Sequence, residues 1–282
     1  MPTRNPSGKC SSFYRPGRMG RGREQGEVKI LIPRDEFCAL ILAAGKGTRM
    51  KSDIAKVLHV LEGKPLLHYS IEAARRAGAG KIVVIVGHQS DKVREAFPDP
   101  ALVFVEQKPQ LGTGHAVLQA APVLKNYRGL TVILCGDVPL LKEATIRSLI
   151  ENHQSAGAAV TVLTTEPPGP HAYGRVVKND RGDILKIVED RDATEAQKKI
   201  LEINTGIYCV DTAFLFAALA QIKNDNRQKE YYLTDIVEIA RREGVGAHAF
   251  PTADYVEVMG INTLAELEKA GEYLRKSASG RV

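Results

Sequence analysis

The chain has 282 residues, 44% of them apolar and 26% charged, with a formal net charge of +6. That length can bury a large core, and the balance is that of a globular protein, which excludes a low-complexity or fibrous chain. The longest uninterrupted apolar run, Phe37–Ala44, falls far short of the roughly 20 residues a membrane helix needs, so no transmembrane segment is expected.

Residues 1–36 are rich in Arg, Gly, Pro and Ser, and residues 1–23 contain no acid. This composition predicts a disordered basic tail without the apolar stretch of a secretory signal. Its Arg and Ser content is shared with transit peptides, but Pro2, Pro6 and Pro16 oppose an amphipathic helix. An RNA-binding tail and a true start at Met19 are the other readings. The remainder of the chain is nearly neutral, so a broad basic face for nucleic acid is not expected.

From Phe37 onward, strand-like runs alternate with helical patterns. The expected strands are Cys38–Ala43, Lys81–Val86, Leu102–Glu106, Thr131–Cys135 and Ala158–Leu163. The expected helices among them are Pro65–Ala77, Gly114–Leu124 and Glu143–Ala156. Such alternation predicts an α/β domain with a parallel sheet covered by helices and joined by right-handed crossovers. Further on, Gly174–Lys178 and Ile184–Glu189 flank the turn-rich Asn179–Asp183 and read as a β-hairpin. A strand at Thr205–Val210 and helices at Thr212–Ile222, Thr234–Arg242 and Thr263–Lys276 complete a single domain over residues 37–282. No fixed-period repeat marks a solenoid. Cys10, Cys38, Cys135 and Cys209 show no CxxC spacing, and the last three lie in apolar runs. They read as small core residues of a protein from a reducing cytoplasm.

Two loops carry chemistry. The first strand runs into Gly45-Lys46-Gly47-Thr48-Arg49, where glycines let backbone N–H groups approach a ligand and Lys46 and Arg49 suit a polyphosphate. The spacing is neither that of a P-loop nor a good dinucleotide fingerprint. Taken alone, it also suits a tight strand–helix turn with surface cations. Lys56 follows shortly after. Asp137, in Cys135-Gly136-Asp137-Val138-Pro139, directly follows another strand. Ligands of open α/β sheets bind at the carboxyl ends of strands, and a carboxylate there suits Mg²⁺. The alternative is a local turn before Pro139.

Several blocks then occur in order. They are Leu42–Met50, Lys56-Val57-Leu58, Gln107 with Gln110–Ala116, Gly136–Leu140, Tyr173-Gly174-Arg175, Ile187-Val188-Glu189, Glu202–Gly206, Glu230–Asp235 and Gly260-Ile261-Asn262. Together they resemble the uridyltransferase domain of bacterial N-acetylglucosamine-1-phosphate uridyltransferases over roughly residues 37–270. The resemblance implies a Rossmann-like, mostly parallel mixed sheet of the nucleotide-diphospho-sugar transferase type, with a β-hairpin insertion at the sugar side. It implies UTP and N-acetylglucosamine 1-phosphate as substrates and Mg²⁺ as cofactor. Arg49 and Lys56 would then be catalytic, and Leu42, Ala43, Ala44, Gly45, Lys56, Gln107, Gly112 and Thr113 would bind the nucleotide. Gly174, Glu189, Asn204, Tyr232 and Thr234 would take the sugar, and Asp137 and Asn262 the metal.

The chain departs from that family at Ala55, where a proline usually precedes the lysine, which suggests a less rigid loop. It departs again at Pro167–His171, on the approach to Tyr-Gly-Arg. It also stops before the left-handed β-helix of the bifunctional members, so acetyltransferase activity and a trimer are not expected, and a monomer or dimer is. Glucose 1-phosphate, another pyrimidine triphosphate, and a non-catalytic nucleotide-sugar-binding module are the competing functional readings.

Overall fold

Every residue of Phe37–Ala43 except Leu42 is buried, and alternate side chains point to opposite faces of one sheet. Phe37, Ala39, Ile41 and Ala43 enter one apolar cluster, and Cys38 and Leu40 enter another. A strand covered by helices on both faces reads as a continuous apolar run, which is why this segment was legible. The computed structural model describes residues 37–169 and 171–278. The expected tail over 1–36, with Met19 and Cys10, lies outside these residues, as does Pro170.

In chain order the strands are β1 (Phe37–Ala43), β2 (Val60–Leu61), β3 (Lys64–Pro65), β4 (Ala79–Val86), β5 (Leu102–Glu106), β6 (Leu130–Cys135), β7 (Val160–Thr165), β8 (Arg175–Lys178), β9 (Ile184–Val188), β10 (Ile203–Asp211) and β11 (Ala247–Pro251). The helices are α1 (Leu66–Ala77), α2 (Ser90–Ala96), α3 (Thr113–Leu118), α4 (Ala121–Leu124), α5 (Glu143–Ala156), α6 (Thr212–Leu219), α7 (Asp235–Glu243), α8 (Tyr255–Val258) and α9 (Leu264–Ala278). The main sheet has the order β11-β7-β10-β6-β1-β4-β5, with the β8–β9 hairpin attached to the start of β10. The pairings β6–β1, β1–β4, β4–β5 and β11–β7 are parallel, whereas β10 runs antiparallel to both β6 and β7. The sheet is therefore mixed and mostly parallel.

The chain leaves β1 toward β4 and β5 on one side, then returns to β6 on the other. That reversal is a topological switch point, and it opens a crevice at the carboxyl ends of β1 and β6. Register aligns Leu42 with Cys135, and Gly136 N–H continues the ladder to Leu42 C=O at 2.9 Å. The loops after both strands thus emerge side by side. A smaller apolar cluster of Leu61, Leu66, Leu140, Ile261 and Ala270 fixes α9 over the β2–β3 ribbon.

Three differences from the sequence reading have physical causes. The single helix expected over Gly114–Leu124 is two, because Pro122 lacks the N–H that would continue the ladder and the chain breaks at Gln119–Ala120. The edge strand β11 was not anticipated. Its residues are half-exposed or exposed and show no alternation. Finally, β10 begins two residues earlier than expected and carries a bulge between Asn204 and Tyr208.

Candidate active site

The loop after β1 turns at Gly47, which has φ +64°. A Cβ on Gly47 would stand 2.6 Å from Lys56 Cβ, so the glycine lets the Lys56 segment lie against the loop. Arg49 and Lys56 each sit in one short 3₁₀ turn, Thr48–Met50 and Lys56–Leu58. The Lys56 loop is tied down from outside. Ala55 N–H donates to Gln89 Oε1 at 2.9 Å, and Gln89 Nε2 donates to Asp53 C=O at 2.6 Å. A proline at position 55 could not make the first bond, so this chain fixes the loop by a different device.

Four side chains converge above the β1–β6 crevice. Lys56 Nζ forms an ion pair with Asp137 Oδ2 and donates to Asn262 Oδ1 at 2.9 Å. Arg49 donates to the same Asn262 oxygen at 2.8 Å. Asn262 reaches this point because Ile261 N–H bonds to Asp137 C=O at 2.9 Å, and because Glu266 receives the backbone N–H groups of Asn262 and Thr263. Glu266 N–H in turn donates to Thr263 Oγ1 at 3.2 Å, completing a capping box at the start of α9.

Two cavities meet at Cys135 and Asp137. The larger, about 700 Å³, is lined by Leu42 and Ala43 at the end of β1, by Ala44, Gly45 and Lys46 of the loop after it, by Lys56, and by Gln107, Gly112, Thr113 and Glu230. Gln107 is buried and donates to Gly112 C=O at 2.9 Å. Gly112 has φ +106°, and a Cβ there would come within 2.7 Å of Tyr231 C=O, so no other residue fits. Gly45 differs: an added Cβ meets no protein atom within 4 Å. The space beside it belongs to the cavity.

The smaller cavity, about 390 Å³, is lined by Arg49, Asp137 and Asn262 at one side and by Tyr173, Gly174, Glu189, Asn204 and Thr205 among its other walls. Gly174 is required because a Cβ would meet Ile187 at 2.9 Å and approach Glu189. Asn204 is held by the β10 bulge, where Gly206 N–H donates to Asn204 Oδ1 at 2.9 Å. Bulges beside a site re-aim side chains in this way. Burial, with Asp235, Asp192 and Glu230 nearby, raises the Glu189 carboxyl above the ordinary range, although a hydrogen bond from Thr234 opposes this. Burial pushes the Cys135 thiol up to about 12, aided by Asp137, so it stays protonated.

The residues anticipated from sequence divide clearly. Leu42, Ala43, Ala44, Gly45, Lys56, Gln107, Gly112 and Thr113 share the larger cavity, and Arg49, Gly174, Glu189, Asn204 and Asn262 share the smaller, with Asp137 in both. Tyr232 and Thr234 stand outside both linings. Thr234 donates to Glu189 Oε1 at 3.2 Å and Tyr232 to Asp192 Oδ2 at 3.0 Å. Sequence reasoning gave no site role to Cys135 or Glu266, nor to Tyr173 and Glu230, which it quoted only within blocks of the resemblance. For Glu266 a signal existed, since Thr263-x-x-Glu266 ahead of a helix is a capping-box pattern. Arg175, quoted in the same way, is buried. It donates to the carbonyls of His171, at 3.1 Å, and Tyr173, and pairs with Asp190 at 3.2 Å, so it shapes the Tyr173–Gly174 wall.

Asp137 and Asn262 offer one carboxylate and one amide oxygen, both reached by a single ammonium. Two oxygens that close together fit a hard cation that takes its remaining ligands from water and phosphate.

Residues 39–230 match the family model of the MobA-like NTP transferase domain. Over 242 residues the chain is 51% identical to the bifunctional protein GlmU of Geotalea uraniireducens, covering 86% of this chain and 53% of that protein. It is 50% identical to the same protein of Geobacter metallireducens, covering 86% and 51%. The chain thus spans about half the length of these curated relatives. Among solved structures, a putative glucose-1-phosphate thymidylyltransferase from Bacillus anthracis, in complex with a sucrose, superposes with a TM-score of 0.68. It has 19% identity, over 85% of this chain and 95% of that one. A UDP-glucose pyrophosphorylase complexed with UDP-glucose gives 0.64 and 20% identity over 85% and 98%. At that identity these two establish the fold.

Proposed function

Because this chain belongs to the family of MobA-like NTP transferase domains, we propose that it joins the uridylyl group of UTP to N-acetylglucosamine 1-phosphate, forming UDP-N-acetylglucosamine and pyrophosphate. One observation supports this most. Two cavities, one behind a glycine loop and one walled by Glu189 and Asn204, meet where Arg49, Lys56, Asp137 and Asn262 converge.

The larger cavity takes the nucleotide. Gln107 Nε2 is occupied by Gly112 C=O and His115 Nδ1, which leaves its amide oxygen to accept from the N–H of the base. Gly45 leaves room for the triphosphate beside the loop amides. The smaller cavity takes the sugar, with Glu189 accepting from hydroxyls and Asn204 able to pair with hydroxyl or amide groups. A phosphate oxygen of the sugar 1-phosphate attacks the α-phosphorus in line, and pyrophosphate leaves. The attacking oxygen is already ionised, so no side chain has to remove a proton. The obstacle is repulsion between two anions and charge growing on the leaving group. Lys56 and Arg49 sit at the junction to offset both by position and charge. Asp137 and Asn262 would hold Mg²⁺, which supplies charge neutralisation and orientation at the phosphates.

Among the described residues no helix is long and apolar enough to cross a membrane, and Cys38, Cys135 and Cys209 are free thiols. Both are compatible with the proposed cytoplasmic location. The test is pyrophosphate release across UTP, dTTP and CTP, each with N-acetylglucosamine 1-phosphate and glucose 1-phosphate. Release confined to UTP with the N-acetylated sugar is expected. A clear preference for another pair would replace the substrate assignment, and binding without release would replace the enzymatic one.

A further inference from the structure

Tyr232 and Thr234 stand outside both cavities, yet the segment that carries them touches both. On the nucleotide side, Tyr231 N–H donates to Leu111 C=O at 2.8 Å, and Tyr231 C=O accepts from Gly114 N–H at 2.7 Å. Leu233 N–H donates to Thr113 Oγ1 at 3.0 Å. The absent Cβ of Gly112 lets this strap lie directly on the nucleotide loop. On the sugar side, the next residue, Thr234, donates to Glu189 Oε1, and the Tyr232 hydroxyl donates to Asp192 Oδ2. Asp192 N–H bonds back to Glu189 C=O at 2.9 Å, so both ends of the Glu189 turn hang from the strap. The anchor to Thr113 and the donor to Glu189 are adjacent residues, Leu233 and Thr234, and α7 begins immediately after Thr234. There is little slack to absorb a shift of the Leu111–Thr113 loop.

We propose that Gln228–Thr234 couples the two cavities, with Thr234 as a positioning residue through which a nucleotide against Leu111–Thr113 sets Glu189 for the sugar. Adjacency alone does not establish coupling, which is a free energy and must be measured as one. The proposal rests on the uridylyltransferase reading, and its test separates the two.

Calorimetry would measure binding of N-acetylglucosamine 1-phosphate to the full chain with Mg²⁺, with and without saturating α,β-methylene UTP, which cannot release pyrophosphate. Couplings of this kind amount to about 5- to 150-fold. The nucleotide analogue is expected to tighten sugar-phosphate binding about tenfold in the parent chain. Thr234→Val keeps the shape and removes the hydroxyl. It is expected to leave affinity for the analogue within about twofold and to reduce the tightening at least about fivefold. Thr234→Ser should restore it. Tyr232→Phe, which deletes one hydroxyl, provides a second variant should Thr234→Val misfold, and it should also weaken the tightening. Unchanged tightening in folded Thr234→Val, or in Tyr232→Phe where that variant must stand in, overturns the proposal, as does parent chain that binds both ligands independently. Parent chain that binds neither ligand overturns the functional reading and the proposal with it.

Discussion

Arg49 and Lys56, carried on two separate short turns, donate to a single acceptor, Oδ1 of Asn262, at 2.8 and 2.9 Å. Asn262 lies more than two hundred positions away in sequence. Two cations can share one neutral oxygen because Asp137 pairs with Lys56 and balances part of their charge. The arrangement is a preassembled positive junction between two cavities, and it fixes what each member should do when altered.

Asp137→Ala removes the carboxylate that pairs with Lys56 and would hold the metal. Turnover is expected to fall about a hundredfold or more, the scale on which preorganised electrostatic groups act. Pyrophosphate release under saturating substrates, with circular dichroism to check folding, measures this. Near-parental turnover would remove Asp137 from the proposed metal site.

The two loop glycines should fail in different ways. Gly45 has no protein atom within 4 Å of an added Cβ and no positive φ. Gly45→Ala should therefore leave urea stability within about 1 kcal/mol and weaken nucleotide binding by crowding the cavity. Gly112→Ala forces a Cβ against the Tyr231 backbone at φ +106°. It should lose about 1–3 kcal/mol of stability. Equal stability losses in the two would contradict the assignment of the space beside Gly45.

Glu189 should give the sugar side its own pH dependence. Burial and neighbouring carboxylates raise its pKa, so it takes up a proton at higher pH than an exposed glutamate does. Protonation costs an acceptor for sugar hydroxyls. The KM for sugar 1-phosphate should therefore rise as the pH is lowered, with the rise beginning above the ordinary carboxylate range, while the KM for UTP changes less. Glu189→Gln should be weak at every pH and lose this component of the profile. A parent profile identical to that of Glu189→Gln would show that the carboxylate does not titrate there.

Arg175 tests the wall of the smaller cavity. Breaking a fully buried ion pair costs about 3–5 kcal/mol. Asp190 is 30% exposed on its side chain, so Arg175→Met should lose about 2–3 kcal/mol in urea denaturation. The carbonyls of His171 and Tyr173 also lose their donor, so the sugar KM should rise more than the UTP KM. Arg175→Lys keeps the charge but not the planar fork, and should recover only part of both effects.

The parts legible in sequence were those with a strong period or an uninterrupted apolar run. The strand Leu102–Glu106 and the helix Glu143–Ala156 were read to the residue. The edge strand β11 carried no such signal, because only one neighbour pairs with it and its side chains are not sorted by burial. At the site, the glycine loop and Asp137 could be read because each follows a buried strand directly. Their meeting with Asn262 came only through the resemblance, since physically it depends on α9 being anchored by Glu266 and by packing on the β2–β3 ribbon. Tyr232 and Thr234 were placed against the sugar by resemblance, and in the structure their hydroxyls donate to Asp192 and Glu189. Those two partners could not be read from the motif, because they lie 40 and 45 positions away in sequence.

The reversed direction of β10 has a consequence for how this architecture can change. Thr165, at the end of β7, pairs with Ile203, at the start of β10. Everything between them, residues 166–202, therefore departs from and returns to the same rim of the sheet, like a drawer set into a cabinet. That excursion carries the Tyr173–Gly174 wall, the β8–β9 hairpin and Glu189. It could be exchanged for another without moving a single strand beneath Arg49, Lys56, Asp137 and Asn262, so that under the proposed function the choice of acceptor would be free to drift.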